Sequence, residues 1–321
     1  MGRGNRNFSL EEGPIMKGDI LAILGFDMET DIGSWTPYYR GIAEGTPKLL
    51  NLLSRKNVKA TFFFTGEAAK NYPNVVREVA EKAHEVGCHS LYHETVGEEL
   101  FPIPGIKPLL QEEVPLRLKK ATEWVQEALG SRVISFRAPR LWGSAAMVSA
   151  LDDLGYVADA SYPLYYYGKQ LTPYHPSSSD WTKEGDLKIL EIPNFADMSM
   201  ESKDKYGRDR DQWPIFRTEG AGKLMFHVRN HVKYVRERRL PVVLCFYFHP
   251  WEFVEMPKGP IRVSPEGTVQ PDEYLIRNCG DYALAQLEDV IDDLKSMGAA
   301  FMTAGELATR WDSEFSHNSV S

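Results

Sequence analysis

Asp19-Ile20-Leu21-Ala22-Ile23-Leu24-Gly25-Phe26 is an almost continuously apolar run, and Asp27 follows it directly. A run of this length and composition is typical of a parallel strand that is buried on both faces. The aspartate therefore lies where the predicted strand ends. In parallel β/α folds, reactive side chains gather at these carboxyl ends of the strands.

The same order of an apolar run and a reactive side chain recurs three times. A helical stretch over residues 73–83 leads through a short strand to His89, residues 133–136 stop at Arg137, and residues 242–248 stop at His249. Because all four side chains follow strands, they are expected to meet on one rim. The pattern predicts an α/β protein, a parallel β/α barrel.

Periodicity elsewhere in the chain agrees with alternating strands and helices. Further strands are predicted over residues 60–64 and 299–303, and helices over residues 45–56, 74–84, 116–129, 141–154, 224–239 and 282–297. We expect one domain over residues 16–310, with polar tails over residues 1–15 and 311–321.

Two long segments without periodicity, residues 161–185 and 197–222, interrupt this alternation. The first contains several tyrosines and a tryptophan, and the second is highly charged. Long loops of a barrel often carry function, and aromatic side chains suit stacking against sugar rings. The alternative is that these rings only cover the rim of the barrel.

Composition excludes several classes of partner. The net charge is -8, so there is no basic field to attract nucleic acid. The sequence has no stretch of about twenty apolar residues that would predict a membrane span. The start of the chain lacks the apolar core of a signal peptide. Three cysteines without a Cys-x-x-Cys motif indicate buried thiols in a reducing compartment. We therefore expect a cytoplasmic protein, and the sequence leaves open whether it forms a homo-oligomer.

The strongest chemical signal combines two imidazoles and two carboxylates. His89 and His93 are four residues apart after one strand, and Asp27 and Glu29 are two apart after another. Together they can supply two nitrogens and one oxygen to a divalent cation and leave one position free for water. The simpler alternatives are a structural histidine pair and a solvated acidic loop that includes Asp31.

These residues carry a family resemblance that extends over roughly residues 16–310. The motifs are Asp27 with Glu29, His89-Ser90-Leu91-Tyr92-His93, Arg137-Ala138-Pro139 and Phe246-Tyr247-Phe248-His249. They resemble the motifs of the NodB-homology polysaccharide deacetylases, which are metal-dependent N-deacetylases among the carbohydrate esterases. The resemblance implies a distorted (β/α) barrel of about seven strands. It also implies an N-acetylated sugar or glycan as the substrate.

The resemblance assigns a role to each strand-end residue. Asp27 would be the catalytic base, and Glu29 would join His89 and His93 as the third metal ligand, although the order of the two acids leaves the reverse assignment open. Arg137 would orient the catalytic aspartate. His249 would protonate the leaving amine. Zinc is the expected metal, and iron or cobalt suits the same ligands.

Further residues are expected to support this chemistry. Asp159 is the candidate to hold the imidazole of His249. Around the reacting atoms, the candidates for substrate binding are Pro139, Arg140, Trp142, Tyr165 and Trp251. Arg140 replaces the aromatic residue that often follows the proline in the family, which introduces a positive charge for an anionic substrate group.

Asp27-Met28-Glu29 departs from the two adjacent aspartates found in most of the family. A spaced acid pair resembles a cytoplasmic branch that includes peptidoglycan-deacetylase-like and deformylase-like enzymes. A deformylase or another small-amide hydrolase is therefore the alternative to a glycan N-deacetylase. A catalytically silent glycan-binding module is a third hypothesis, which the presence of both a base and an acid disfavours.

A second histidine pair has the same spacing. His227 and His231 lie on a predicted helix, where histidines at i and i+4 can bind zinc. No glutamate follows His227 as in zinc proteases, and valines form the apolar stripe of this helix. We predict that this pair does not bind metal.

Overall fold

The computed structural model describes residues 20–315, and its centre is a curled parallel sheet. The strands are β1 (Ile20–Met28), β2 (Thr61–Phe64), β3 (Glu85–Cys88), β4 (Ser135–Phe136), β5 (Ala158–Asp159), β6 (Leu190–Glu191), β7 (Val242–Phe248), β8 (Ile261–Arg262), β9 (Thr268–Val269) and β10 (Ala299–Phe301). Strands β1 to β6 pair in sequence order, β7 pairs with the other edge of β1, and β8 and β9 form a separate hairpin.

The ring of strands is completed by a single contact. After β6, Asn194 forms a parallel bridge with Cys245 of β7, and the N–H of Phe195 donates to the Cys245 carbonyl at 2.8 Å. Strand β10 pairs with the first residues of β1, next to β2. The described strands therefore form a distorted (β/α) barrel, which confirms the predicted fold class.

Helices cover the outside of this barrel. They are α1 (Thr46–Lys56), α2 (Gly66–Asn71), α3 (Pro73–Glu81), α4 (Val114–Leu129), α5 (Ala145–Asp153), α6 (Leu164–Tyr167), α7 (Ile215–Thr218), α8 (Ala221–Glu237), α9 (Glu273–Ile276), α10 (Asp281–Ser296) and α11 (Ala304–Phe315). All six predicted helices are present. Helix α5 begins four residues later than expected, because Arg140 and Leu141 adopt left-handed backbone conformations in the preceding turn.

Alternate side chains of strand β1 face the surrounding helices and the interior of the barrel. Leu24, Phe26 and Met28 belong to the apolar layer between sheet and helices, whereas Leu21 and Ile23 pack inside the barrel. This alternation follows from the two-residue repeat of a strand. Position 25 also faces inward, since a Cβ there would lie 2.1 Å from Arg137 Nη1. Asp27 is the next residue on the inner face.

The end of the barrel opposite Asp27 is covered by α11. Leu307 and Trp311 are buried in the same cluster as Leu21 and Val243. We expected a C-terminal tail from residue 311, but the helix continues to Phe315 because Trp311 packs into the barrel. The predicted tail over residues 1–15 lies outside the described residues.

The tyrosine-rich segment over residues 161–185 is largely part of the core. Tyr162, Tyr174 and Trp181 are buried and pack against one another with ring centroids 5.8 to 5.9 Å apart. The three cysteines are free thiols, and Cys88 and Cys245 are buried as predicted. Within residues 20–315, none of the helices has the length and apolar character that crossing a membrane requires.

Candidate metal centre and active site

Strand β1 delivers two carboxylates to the rim of the barrel. Asp27 is the penultimate residue of the strand and Glu29 follows its end, and both side chains are buried and line one cavity. Met28 between them packs on the helix side. The predicted arrangement, with two acids on one face, is the one that the structure shows.

The two histidines of the His-x-x-x-His motif converge on Glu29. His89 Nε2 lies 3.5 Å from Glu29 Oε2, and His93 Nε2 contacts the same oxygen. The histidines lie in a loop rather than a helix, because Ser90 and His93 have left-handed φ angles of 64° and 60°. Their ring centroids are 5.1 Å apart.

Both imidazoles are held through their other nitrogen. His89 Nδ1 donates to the Arg137 carbonyl at 2.7 Å, and His93 Nδ1 lies 2.6 Å from Ser34 Oγ. For His89, this hydrogen bond places the proton on Nδ1 and leaves the Nε2 lone pair facing Glu29. An imidazole fixed in this way is prepared to act as a metal ligand.

The donor atoms of this cluster fit a divalent cation. Ligand atoms of Glu29, His89 and His93 all lie within 4.8 Å of one another, and all three side chains are buried. Apart from the contacts of Glu29 Oε2 with the two imidazoles, neither carboxylate oxygen of Glu29 nor Nε2 of His89 has a hydrogen-bond partner in the described structure. Buried polar atoms are rarely left without partners, so this set indicates a missing ligand. Two nitrogens and one oxygen are ligands that zinc accepts.

The charge on Glu29 is favoured by its neighbours. Burial alone would raise the pKa of this carboxyl, but the charge of His93 and the close contacts with His89 and His93 hold it well below its ordinary value. Glu29 is therefore ionised at neutral pH and can act as an anionic ligand.

Asp27 is paired with a buried arginine. Arg137 Nη1 lies 3.0 Å from Asp27 Oδ1, while its Nε donates to the Ala160 carbonyl at 3.0 Å and its Nη2 to the Phe246 carbonyl at 3.2 Å. The guanidinium occupies the space that the missing side chain of Gly25 leaves open. Arg137 thus orients Asp27 from inside the barrel, as the sequence predicted.

His249 enters the site from the end of β7. Its Nε2 is 4.0 Å from Glu29 Oε1, and its Nδ1 lies 2.9 Å from Glu252 Oε1. Glu252 also accepts from Arg217 Nε at 2.6 Å and Trp213 Nε1 at 3.0 Å. Burial alone would lower the pKa of His249, but Glu252 and Glu29 raise it overall. The imidazolium form is therefore stabilised.

The expectation that Asp159 holds His249 is wrong. Asp159 accepts a hydrogen bond from Ser161 Oγ and lies beside Glu191, inside the barrel. Burial raises its pKa to about 6. Ser161 Oγ also accepts from the N–H of Ala138 at 2.8 Å, so Asp159 supports the turn that follows β4. The imidazole partner is Glu252, three residues after His249.

One cavity of about 240 Å³ connects these groups. Acids, histidines, arginines and large apolar side chains share its wall: Asp27, Glu29, Ile32, Gly33, Trp35, His89, His93, Phe101, Ile103, Arg140, Leu141, Arg208, Trp213, Tyr247, His249, Trp251 and Leu275. The predicted base, acid and metal ligands therefore all face the same space.

The predicted substrate-binding residues divide into two groups. Arg140 and Trp251 line the cavity, and the Trp251 ring stacks on His249 with centroids 5.5 Å apart. The other three, Pro139, Trp142 and Tyr165, are described by the structure but do not line the cavity. Trp142 is buried behind Phe101, and Tyr165 lies under Arg208. Their large rings fill the core and do not face the reacting atoms.

Several cavity residues were not found from the sequence. Gly33 and Trp35 come from the loop after β1, and Arg208 and Trp213 come from the charged loop over residues 197–222. These loops have no periodicity from which to infer their path. Glu252 did have a signal, since an acid three residues after His249 can form a capping box at the start of a helical turn.

The second histidine pair has other partners. His227 Nδ1 lies 2.8 Å from Asp197 Oδ2, and His231 is buried, with its pKa lowered to about 4 by burial. Within residues 20–315, the side chains that cluster in a group able to hold a metal ion are Glu29, His89 and His93. The prediction that the helical pair is not a metal site is consistent with these contacts.

Comparisons with known proteins agree with the fold and the motifs. Residues 23–158 match the family model for polysaccharide deacetylase. Two proteins described as peptidoglycan-N-acetylglucosamine deacetylase, both from Bacillus cereus, match at 48% identity over 50 residues and at 26% identity over 169 residues. These segments are 16% and 52% of this chain, and 18% and 69% of the relatives. Over the matched segments, the chain is similar to polysaccharide deacetylases.

Solved structures share the architecture over nearly the whole chain. A Mycobacterium smegmatis protein assigned to the polysaccharide deacetylases has a TM-score of 0.59 at 18% identity and covers 93% of both chains. The Puue allantoinase has a TM-score of 0.61 at 13% identity and covers 98% of both chains. At these identities, the likeness concerns the fold.

Proposed function

We propose that this protein is a metal-dependent N-deacetylase that hydrolyses the acetamide of an N-acetylated amino sugar or glycan. The single observation that carries the proposal is the buried cluster of Glu29, His89 and His93 ligand atoms, in which the Glu29 oxygens and His89 Nε2 have no hydrogen-bond partner outside the cluster and which shares a cavity with Asp27 and His249. The family match over residues 23–158 supports a hydrolytic deacetylase. The metal requirement and the roles of single residues belong to the proposal.

Glu29, His89 and His93 would hold the cation. When bound, a divalent cation supplies Lewis-acid polarisation of the acetamide oxygen and lowers the pKa of a water molecule. The chain contributes a ligand set of fixed geometry, because Arg137 and Ser34 restrain the two imidazoles. Zinc is the first choice for two histidines and one carboxylate, with iron or cobalt as substitutes.

Asp27 would act as the general base. Its carboxylate faces the cavity, and the contact of Oδ1 with Arg137 leaves Oδ2 to accept a proton from the attacking water. Arg137 has hydrogen bonds to two backbone carbonyls and cannot rotate freely. The buried ion pair therefore fixes the direction in which Asp27 accepts the proton.

His249 would act as the general acid. The Glu252 hydrogen bond at Nδ1 turns Nε2 toward the cavity and stabilises the protonated ring, which can then donate to the departing amine. Backbone N–H groups after Pro139 are candidates to stabilise the oxyanion. Those of Leu141 and Trp142 donate to carbonyls within the turn, so the N–H of Arg140 is the remaining candidate.

Aromatic side chains at the cavity suit a sugar ring. Trp35, Trp213 and Trp251 line its wall, and Trp35 is 43% exposed. Flat apolar rings with polar edges match the faces and hydroxyl groups of a pyranose. These side chains would place the acetamide next to the metal site.

The test is product analysis with metal-free and metal-replete protein. N-acetylated oligosaccharides are incubated with protein stripped by a chelator and with the same protein after zinc is restored, and acetate and free amine are both quantified. We expect equimolar acetate and amine only with the metal, and a loss of both in Asp27→Asn. Formate released from a formamide, with no acetate from any sugar, would favour the deformylase alternative. If neither sugars nor formamides are hydrolysed, the hypothesis of a catalytically silent glycan-binding module is favoured.

A further inference from the structure

Two arginine side chains line the cavity near the candidate metal ligands. Arg140 belongs to the turn after β4, and Arg208 belongs to the loop between β6 and α7. Neither guanidinium has a part in the deacetylation chemistry proposed above. Two buried or half-buried cations at a substrate cavity need a compensating charge or a ligand.

Arg140 has no acidic partner in the described structure. Its Nη1 donates to the His93 carbonyl and to Thr95 Oγ1, both at 3.1 Å, and Glu29, the described acid that favours its charge, forms no ion pair with it. The residue has a left-handed backbone with φ 62° and ψ 7°. Such a conformation is unfavourable for a side chain with a Cβ and persists where the surroundings impose it.

Arg208 is held in a fixed position. Its Nη1 lies 2.7 Å from Asp211 Oδ2, an oxygen that also accepts the hydroxyl of Tyr247. The guanidinium carbon is 4.8 Å from the centre of the Tyr165 ring. A guanidinium restrained by an acid on one side and an aromatic ring on another loses little freedom when it binds a further group.

The charges around the cavity do not balance once a divalent cation is present. Asp27 is compensated by Arg137, and Arg208 by Asp211. The single negative charge of Glu29 is smaller than the charge of a divalent cation. Arg140 adds a positive charge that no described carboxylate contacts, and Glu29, which acts on it from a longer distance, also belongs to the candidate cation site. The cavity would therefore attract an anion in addition to the acetamide.

We propose that the natural substrate carries an anionic group, a carboxylate or a phosphate, close to its acetamide, and that Arg140 and Arg208 bind this group. The inference rests on the proposed function, because it names the class of N-acetylated sugar that the same site takes. Guanidinium groups present paired N–H donors that match the oxygens of carboxylates and phosphates. Neutral N-acetylated sugars would lack this contact.

The experiment compares charged sugars with neutral counterparts. N-acetylmuramic acid is paired with its methyl ester, and N-acetylglucosamine 6-phosphate with N-acetylglucosamine. Calorimetry measures dissociation constants with the metal-free wild-type chain, where no turnover occurs and no cation contributes to anion binding. The ratio of kcat/KM within each pair is then measured with zinc-loaded protein.

We expect at least one charged sugar to bind about 10- to 100-fold more tightly than its neutral counterpart. Arg140→Met should reduce this advantage to less than about 3-fold, and Arg140→Lys should retain part of it because the charge remains. The charged sugar that shows the advantage identifies the anion. Arg55→Gln is the matched control, because it removes an arginine that pairs with Glu288 between α1 and α10, outside the cavity wall.

Equal binding within both pairs would overturn the inference, even if acetate is released from every sugar. A preference that survives the double variant Arg140→Met with Arg208→Met would overturn it as well. If Arg140→Met does not fold, as judged by its melting temperature, the same ratio of dissociation constants is measured for Arg208→Met and Arg140→Lys. A reduced preference for the charged sugar in Arg208→Met then supports the inference, and an unchanged preference in both variants overturns it. Arginine-dependent anion binding without any acetate release would instead refute the deacetylase proposal and keep the anion site.

Discussion

The molecule contains two pairs of histidines with the same spacing of four residues, and the surroundings of the two pairs differ. His89 and His93 follow β3 at the rim of the barrel and converge on Glu29. His227 and His231 lie on α8, where one contacts Asp197 and the other is buried beside Phe195. The spacing is the same in both pairs. Only the first pair leaves a buried nitrogen without a partner, at His89 Nε2.

The difference teaches that hydrogen-bonding capacity, and not spacing, marks a metal site. In the rim pair, the Nδ1 atoms contact other parts of the chain, and the Nε2 atoms face the Glu29 carboxylate, which has no hydrogen-bond partner outside the cluster. In the helical pair, Asp197 already satisfies His227, and His231 is kept neutral by burial. A ligand set is recognised by lone pairs that the fold orients and does not use.

The largest expected effect comes from removing a rim histidine. His89→Ala or His93→Ala leaves two ligands, which bind a divalent cation weakly, so the purified variant should contain less than about a tenth of the wild-type metal. Metal content by mass spectrometry checks this result. His227→Ala is the matched control and should retain full metal. Full occupancy in the rim variants, or loss of metal in the control, would reverse the comparison.

The next effect separates catalysis from metal binding. His249→Ala removes the proposed acid but no ligand, so metal content should stay constant while kcat falls about 10²- to 10⁴-fold. The loss should be smaller for an activated ester, because a good leaving group needs little protonation. Equal losses of kcat for an amide and an activated ester would mean that His249 has a structural role.

A smaller effect is expected on the pH profile. Catalysis needs protonated His249, so kcat falls as the pH rises through the pKa of this residue. Glu252 helps to raise that pKa, and Glu252→Gln should therefore shift the basic limb of the profile to lower pH. Asp159→Asn is the control, because Asp159 contacts Ser161, and its basic limb should not move. A shift of the basic limb in Asp159→Asn, with none in Glu252→Gln, would mean that Asp159 holds the imidazole of His249, as the sequence predicted.

The positions of site residues at the ends of regular strands could be predicted from the sequence. The positions of site residues in loops could not. Asp27, His89, Arg137 and His249 all follow apolar runs, and parallel strands bring their ends together whatever the connecting segments do. Asp159 is the last residue of β5, so it also lies at a strand end. Its side chain stays inside the barrel, and the turn after β7 provides Glu252 instead.

Aromatic loops show the same limit of sequence reasoning. The tyrosine-rich segment over residues 161–185 and the charged segment over residues 197–222 were both predicted as long loops that could carry function or only cover the rim of the barrel. Tyr165 in the first is buried core, whereas Arg208 and Trp213 in the second line the cavity. Composition gave the residue types, but the path of a loop depends on contacts distant in sequence.

The smallest expected effect concerns the mouth of the cavity. Trp35 is 43% exposed, so Trp35→Ala should leave the melting temperature nearly unchanged. Loss of ring stacking worth about 1 kcal/mol should raise KM for a sugar roughly 5-fold. Tyr282→Ala on α10 is the matched control, since Tyr282 is 48% exposed and its KM should not change. An unchanged KM in Trp35→Ala would remove Trp35 from the sugar contact.

The two acids at the end of β1 give the most direct test of the account, which assigns the base to Asp27 and the third ligand to Glu29. Metal stoichiometry and kcat are measured together for Asp27→Asn and Glu29→Gln. We predict that Asp27→Asn retains metal and loses most of its turnover, whereas Glu29→Gln loses metal and recovers part of its activity in excess zinc. Loss of metal in Asp27→Asn, with full metal in Glu29→Gln, would contradict the account.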